Sequence, residues 1–322
     1  MNLSKTAAII ASALALAANA RAEDSLTVRF GHFPNVTHAQ GLIAHAMSRQ
    51  GKGWFEQRLG PNVKVEWYTY NAGPSAMEAI FAGSIDVTYV GTGPALTAHL
   101  KSLGTDIRVI SGAANGGAAL VTSSNGVIKT PADFKNKRVA TPQMGNTQDI
   151  ACRAWLKAQG FRITQTGGDV MVIPTANPDQ LSALQSGNVD AVWTVEPWVT
   201  RVENEAAAKV FLEDKDVITT WLVSSVKFLK EHRDLAKKIA VANKELTEWI
   251  NSHPDEAQKM LVDELKAETK TEVSADVVGH SLQRIKLTTE VSPALVEKAV
   301  KEGKDTGFLK GSTDTSHLIE SL

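Results

Sequence analysis

Apolar and polar positions alternate with period two over Leu26–Gly31 and again over Val63–Thr69, where Val63, Val65, Trp67 and Thr69 share a side, and both stretches read as strands. Between them Thr37–Gln50 has helical spacing, with Asn35 or Thr37 as its cap. Two later stretches, 104 positions apart, are written to one pattern. Pro74 opens a short helical run that stops at Gly83, and Ile85–Val90 then reads as a strand leading to Gly93-Pro94. Pro178 opens a second run that stops at Gly187, and Val189–Trp193 leads to Glu196-Pro197. Proline to glycine is nine positions and glycine to aspartate three in both copies. Proline suits the first helical turn and glycine the residue past a helix end, so each copy predicts helix, turn, strand and a new helix. A unit repeated once at this distance predicts two similar α/β lobes with a cleft between them. Asp86 and Asp190 then stand at matching turns, where capping alone is the simpler role.

Further strands are predicted at Ile107–Ser111, Lys137–Ala140, Val170–Ile173 and Val217–Ser225, with a helix over Asn146–Gln159. The glycine-rich stretch Gly112–Gly117 suits a chain crossing between lobes, and the strand from Val217 carries it back. The expected division is lobe 1 from 24–112 plus 221–322, and lobe 2 from 113–220. From Val226 onward the pattern is helical, with His253-Pro254 and Ser292-Pro293 marking helix starts.

The first 22 residues stand apart. Lys5 supplies a positive n-region, Thr6–Ala18 is apolar, and Ala20-Arg21-Ala22 offers small residues for a signal peptidase, so cleavage is expected after Ala22 or Ala20. The apolar run is too short to span a bilayer, and no later stretch approaches the ~20 apolar residues a transmembrane helix needs. The single cysteine, Cys152, is far from the leader and can form no internal disulfide. Without Lys5 and Arg21, 32 of the 34 basic side chains face 35 acidic ones, a net charge of −3. That balance excludes nucleic acid as the expected partner, since such binding needs a basic excess. A soluble, exported, monomeric periplasmic protein is the expectation.

Strands alternating with helices favour mostly parallel sheets, in which ligands sit beyond the carboxyl ends of the strands. That rule selects the loops Gly31–His38, Tyr70–Ser75, Gly91–Pro94, Thr141–Thr147 and Thr194–Trp198. Each runs into a helix, and converging helix N-termini with their free amides make an anion pocket. The candidate ligand-binding residues are His32, Phe33, Asn35, Thr37, His38, Asn71, Thr92, Gly93, Gln143, Gly145, Asn146, Thr147, Glu196 and Trp198. None of these loops holds Arg or Lys, and Arg153 lies two helical turns beyond Asn146, so recognition by neutral dipoles is expected. Glu196 would repel a dianion and welcome an ammonium or hydroxyl, while Trp198 and Phe33 would pack on an organic portion.

Four segments carry a resemblance. Gly31-His-Phe-Pro-Asn-Val-Thr-His38, Glu78-Ala-Ile-Phe-Ala-Gly-Ser-Ile-Asp86, Thr141-Pro-Gln-Met-Gly-Asn-Thr147 and Asp190-Ala-Val-Trp-Thr-Val-Glu-Pro-Trp198 resemble the sulfonate, taurine and nitrate substrate-binding proteins of ABC importers. The resemblance extends over essentially the whole mature chain. It implies a type II periplasmic-binding-protein fold, hinge closure on ligand and delivery to an inner-membrane ABC permease. By position it implies that Asn35, Thr92, Gly145, Asn146 and Thr147 bind the anion head, and that Glu196 with Trp198 meets the tail. Met144-Gly145-Asn146 stands where many members have a Lys-Gly-Ser type sequence, which leaves a sulfonate, nitrate or bicarbonate, and a heterocyclic precursor all open as ligand. A ligand sensor of the same fold is the remaining alternative.

Other chemistry finds little support. There is no nucleophile elbow or catalytic carboxylate pair, so no enzyme and no cofactor is expected. His32, His38 and His45 are spaced by six and seven, not a usual chelating interval, and no cysteine or acidic cluster is near in sequence, so no metal is expected. Cys152 and Trp193 read as core, Asn146-Thr147 also suits an ordinary helix cap, and an acidic residue at the helix start would explain Glu196 without a ligand.

Overall fold

The computed structural model describes residues 25–124 and 126–322; the expected leader lies outside them. The chain forms two α/β lobes, each with its own sheet. The first sheet begins with β1 (Leu26–His32), β2 (Val63–Thr69) and β3 (Val87–Val90), joined through α1 (Ala39–Arg49), α2 (Trp54–Leu59) and α3 (Gly73–Phe81). After β3 come α4 (Thr92–Lys101) and β4 (Ile107–Gly116). The second sheet takes β5 (Ala118–Ser123), β6 (Arg138–Thr141), β7 (Met171–Pro174), β8 (Ala191–Val195) and β9 (Ala208–Asp214), with helices α5 (Thr147–Ala158), α6 (Asn177–Gln185) and α7 (Trp198–Glu205). Then β10 (Ile218–Ser225) rejoins the first sheet. Helices α8 (Val226–Glu231), α9 (Arg233–Ser252), α10 (Pro254–Thr269), α11 (Ala275–Gln283) and α12 (Pro293–Asp305) follow, with the short edge strand β11 (Ile285–Leu287) before α12.

Strand order is β11-β4-β10-β3-β1-β2 in one sheet and β7-β6-β8-β5-β9 in the other. β1, β2 and β3 run parallel, as do β6, β7 and β8, while β10 pairs antiparallel with β3 and β4. Both faces of the first sheet are covered. Val28, Phe30 and Tyr89 pack beneath α1, α9 and α10, and Ile85, Val90 and Trp221 pack on the opposite side beneath α3 and α4. The second lobe repeats the sandwich, with Leu120, Phe134, Val139 and Trp193 on one side and Val121, Ala140, Val192 and Val199 on the other. Cys152 and Trp193 are core residues, and burial pushes the Cys152 thiol up, which favours the neutral form.

The sequence repeat is a repeated device. In lobe 1 the Arg29 backbone N–H and guanidinium donate to the Asp86 carboxylate at 2.8–3.0 Å, and Arg29 also donates to the Gly83 carbonyl at 2.7 Å. In lobe 2 Arg138 donates to Asp190 at 2.9 and 3.2 Å and to the Gly187 carbonyl at 2.7 Å. Each aspartate thus ties its turn to the start of the neighbouring strand, a larger role than turn capping.

The chain crosses between sheets at Gly116-Gly117, later than the expected 112/113 boundary, because β4 stays paired with β10 and β11 as far as Gly116. Both glycines have positive φ (74° and 70°), and a Cβ on Gly116 would stand 2.7 Å from the Arg284 carbonyl, so no other residue fits there without rearrangement. The return falls at Val217, which accepts the Gly116 N–H at 2.8 Å.

Candidate functional site

The carboxyl ends of β1, β2, β3, β6 and β8 converge between the lobes on a small cavity of about 20 Å³. Phe33, Asn35, Thr37, His38, Asn71 and Gly91 line it from lobe 1, and Pro142, Asn146, Thr147, Asn177 and Val195 from lobe 2. None of the lining residues is Arg, Lys, Asp or Glu. The one titratable group, His38, is fully buried, and burial together with nearby His32 holds its pKa well below the ordinary histidine value, so it is a neutral imidazole at neutral pH. Its ring packs on Phe33 at 4.3 Å between centroids, and its buried Nδ1 has no hydrogen-bond partner.

Helix geometry explains why polar atoms gather here. A 3-10 turn over Val36–His38 leads into α1, and Asn146 caps α5 by accepting the Asp149 N–H at 2.8 Å. Asn146 is therefore both an ordinary cap and a pocket wall. The loop that carries it is fixed from inside: the Asp149 carboxylate accepts from Thr141 Oγ1, the Gly145 N–H and Arg153 at 2.9–3.0 Å. Arg153, 2 % exposed, spends its other donors on the Thr164 and Val172 carbonyls, so it stays out of the pocket as its position in the helix predicts.

The lobes touch around the cavity. Thr147 Oγ1 accepts the Gly93 N–H at 3.1 Å, Trp198 Nε1 donates to Asn35 Oδ1 at 2.8 Å, the Val36 N–H reaches the Glu196 carbonyl at 3.0 Å, and Gln143 Nε2 reaches Ser75 Oγ at 3.4 Å. A Cβ added to Gly91 would come within 2.3 Å of Thr147 Oγ1, so the closed arrangement depends on a bare backbone there.

Several residues expected in the pocket stand elsewhere. The Glu196 carboxylate is fully buried and turned toward the hinge side, accepting from Thr200, from Ser281 at 3.0 Å and from Arg284 at 2.9 Å. It is committed to that ion pair and does not line the cavity. Trp198 is one layer back and holds Asn35. The Thr92 hydroxyl donates to the Ile218 carbonyl, and Gly93 and Gln143 make contacts between lobes rather than lining the void. Gly145 faces an outer groove beside Phe308. His32 points the other way, into lobe 1, against His45 and Glu268. Sequence reasoning missed Asn177, Thr219 and Gln148. Asn177 was within reach as the residue before Pro178 at the start of the second repeat helix, the counterpart of Gly73; there it accepts from Thr194 and approaches Asn35 at 3.4 Å.

Two lobes joined by two crossings, with a polar cavity at the strand ends between them, define a periplasmic-binding-protein fold. The alkanesulfonate-binding protein SsuA from Xanthomonas axonopodis pv. citri, solved bound to MOPS, superposes with a TM-score of 0.74 over 90% of this chain and 96% of that one, at 19% identity. Residues 21–263 match the NMT1-like family, and the chain belongs to it. Among curated relatives, a Bacillus subtilis (strain 168) protein named for binding aliphatic sulfonates is 26% identical over 283 residues, 85% of this chain and 81% of that one. The taurine-binding periplasmic protein of Escherichia coli (strain K12) is 22% identical over 280 residues, 87% of this chain and 78% of that one. No described helix is long and apolar enough to cross a membrane.

Proposed function

We propose that this protein is the substrate-binding component of an ABC importer, closing its lobes over a small organic sulfonate or similar oxyanion in the periplasm and presenting it to a permease. The observation that carries the reading is the cavity wall, which is polar, uncharged and contributed by both lobes. Amide and hydroxyl donors to an anion are worth about 1.5–3 kcal/mol each, and a helix N-terminus adds up to ~2 in a partly buried site. A weakly basic monoanion such as a sulfonate loses little hydration and is held well by such dipoles. A phosphate dianion brings a second charge that no cation in the wall offsets. The relatives named for aliphatic sulfonates and taurine, and the MOPS-bound neighbour, support the same ligand class. They also support a binding protein over an enzyme.

The turned-away Glu196 sharpens the choice within that class. With no carboxylate in the wall, a taurine ammonium would meet only neutral acceptors, so plain alkanesulfonates should bind more tightly than taurine. The small void favours one other reading, an inorganic oxyanion such as nitrate or bicarbonate. A thermal-shift panel of methanesulfonate, ethanesulfonate, MOPS, taurine, nitrate, bicarbonate and phosphate separates them. A ligand at about 100 times its dissociation constant stabilises by ~2.7 kcal/mol. Alkanesulfonates should give the largest shifts, reduced for every anion by Asn146→Ala. A response to nitrate alone would replace the sulfonate reading, and no response to any oxyanion would refute both.

A further inference from the structure

The geometry points to a second site, a divalent-cation centre of the zinc class in lobe 1, formed by His32, His45 and Glu268 with Glu264 as fourth ligand. We propose it on geometric grounds, independent of what the cleft binds. His32 ends β1, His45 lies on the second turn of α1 and Glu268 on α10, so three elements bring three ligand atoms within 4.8 Å of one another, with Glu264 one turn before Glu268. His32 Nε2 is 3.0 Å from Glu268 Oε1, His45 Nδ1 is 2.8 Å from the same oxygen, and the two nitrogens are 3.1 Å apart. Glu264 Oε1 stands 3.3 Å from His45 Nδ1.

Protons alone satisfy this triangle badly. If both imidazoles donate to Glu268 Oε1, two N–H groups confront each other across 3.1 Å. If one nitrogen gives up its proton, its lone pair faces another lone-pair atom along one edge. A cation at the centre satisfies every edge at once. Tetrahedral zinc with bonds of 2.0–2.1 Å separates its ligand atoms by about 3.3 Å, so the cluster needs to open by only a few tenths of an ångström. Ligand type agrees as well, since two imidazoles with carboxylate are a zinc donor set.

The surroundings are built to hold such a group. The His32 side chain is fully buried, and the Glu268 and Glu264 side chains are only 2% and 4% exposed. Glu268 Oε2 is buried without a hydrogen-bond partner, and Glu264 Oε1 has Arg49 Nε and His45 Nδ1 each 3.3 Å away. Trp67 fixes both rings, stacked on His45 at 15° and edge-on to His32 at 87°, each 5.5 Å away. Two carboxylates face one guanidinium, Arg49, which lies 3.3 Å from Glu264 and is 43% exposed. Arg49 also donates to His45 Nε2 at 3.1 Å, so loading the site moves the His45 proton from Nδ1 to Nε2 and turns the exposed Arg49 toward solvent. The expectation of no metal rested on sequence spacing, to which a glutamate 223 positions from His45 is invisible.

A cation here would clamp the strand end that carries Phe33–His38 to α10, stiffening one wall of the binding cleft. The test uses the mature, untagged protein exposed to zinc and then dialysed against metal-free buffer, with zinc counted by mass spectrometry and Tm measured with and without EDTA. One equivalent of zinc and a Tm that falls on chelation are expected. His45→Ala and Glu268→Gln should each lose more than the roughly 10–100-fold in affinity that removing a mere supporting partner costs. His253→Ala, an exposed histidine elsewhere, should leave binding unchanged. Cobalt substitution of the wild type gives a readout that does not depend on how the variants fold, since a tetrahedral site yields intense visible bands. Absence of bound zinc in the wild type, an octahedral cobalt spectrum, or retention of zinc by folded Glu268→Gln would overturn the assignment.

Discussion

Glu196 and Asn146 show how one residue type at one position serves two readings. Asn146 caps α5 and faces the cavity, so its helical role leaves room for the proposed ligand role. Glu196 sits at the position where a ligand tail was expected, yet its carboxylate is held by Thr200, Ser281 and Arg284. Its sequence neighbours gave no hint of this, because Arg284 is 88 positions away. Glu196→Gln should therefore leave the ranking of ligands unchanged while costing about 1–3 kcal/mol of stability, as a buried charged acceptor is weakened. Arg284 keeps Glu203 at 2.7 Å, which limits the loss. Chemical denaturation alongside the anion panel checks both halves; a switch in preference toward or away from taurine would return Glu196 to the pocket.

At the scale of elements, most of the architecture was legible. Period-two alternation marked β1 and β2, and the paired proline–glycine–aspartate spacing located α3 with β3 and α6 with β8. The short α2 and the strands β5, β9 and β11 were not read. β9 and β11 are edge strands of their sheets, where pattern is weakest, and β5 lies one residue beyond the crossing glycines. The loops at strand ends line the cavity between the lobes, where parallel strands ending at helix starts leave amide donors. Which side chains enter the cavity was only partly legible, since loop direction is set by distant partners. The α5 entry is the clearest case: Asp149 and Arg153, both essentially buried, hold the Thr141–Asn146 loop from behind. Asp149→Ala leaves Arg153 buried without its counter-charge and should cost about 3–5 kcal/mol, as removing one partner of a buried pair does. Thermal and urea unfolding measure it, and a loss under 1 kcal/mol would contradict the role given to the pair.

In the proposed function the two lobes move about two crossing segments, and ligand binding and closure are one equilibrium. A ligand touching loops of both lobes shifts the population toward the closed form by its differential affinity for that form. Gly91 of lobe 1 faces the Thr147 side chain of lobe 2, leaving a Cβ only 2.3 Å from Thr147 Oγ1. Gly91 has φ −71°, which alanine adopts freely, so Gly91→Ala should fold normally while its methyl group wedges the lobes apart. Affinity for the preferred anion should fall at least tenfold, about 1.4 kcal/mol, with the ligand-free Tm little changed. Unaltered affinity in a calorimetric titration would mean that the lobes do not need this contact to grip the ligand.

Small-angle X-ray scattering of the mature protein titrated with ethanesulfonate tests whether the lobes close over an uncharged oxyanion pocket. A saturable fall in the radius of gyration, absent with phosphate and diminished in Gly91→Ala, is the predicted result. A radius of gyration that stays constant while ethanesulfonate binds would contradict a cleft that closes on its ligand, and the absence of any binding would contradict the pocket itself.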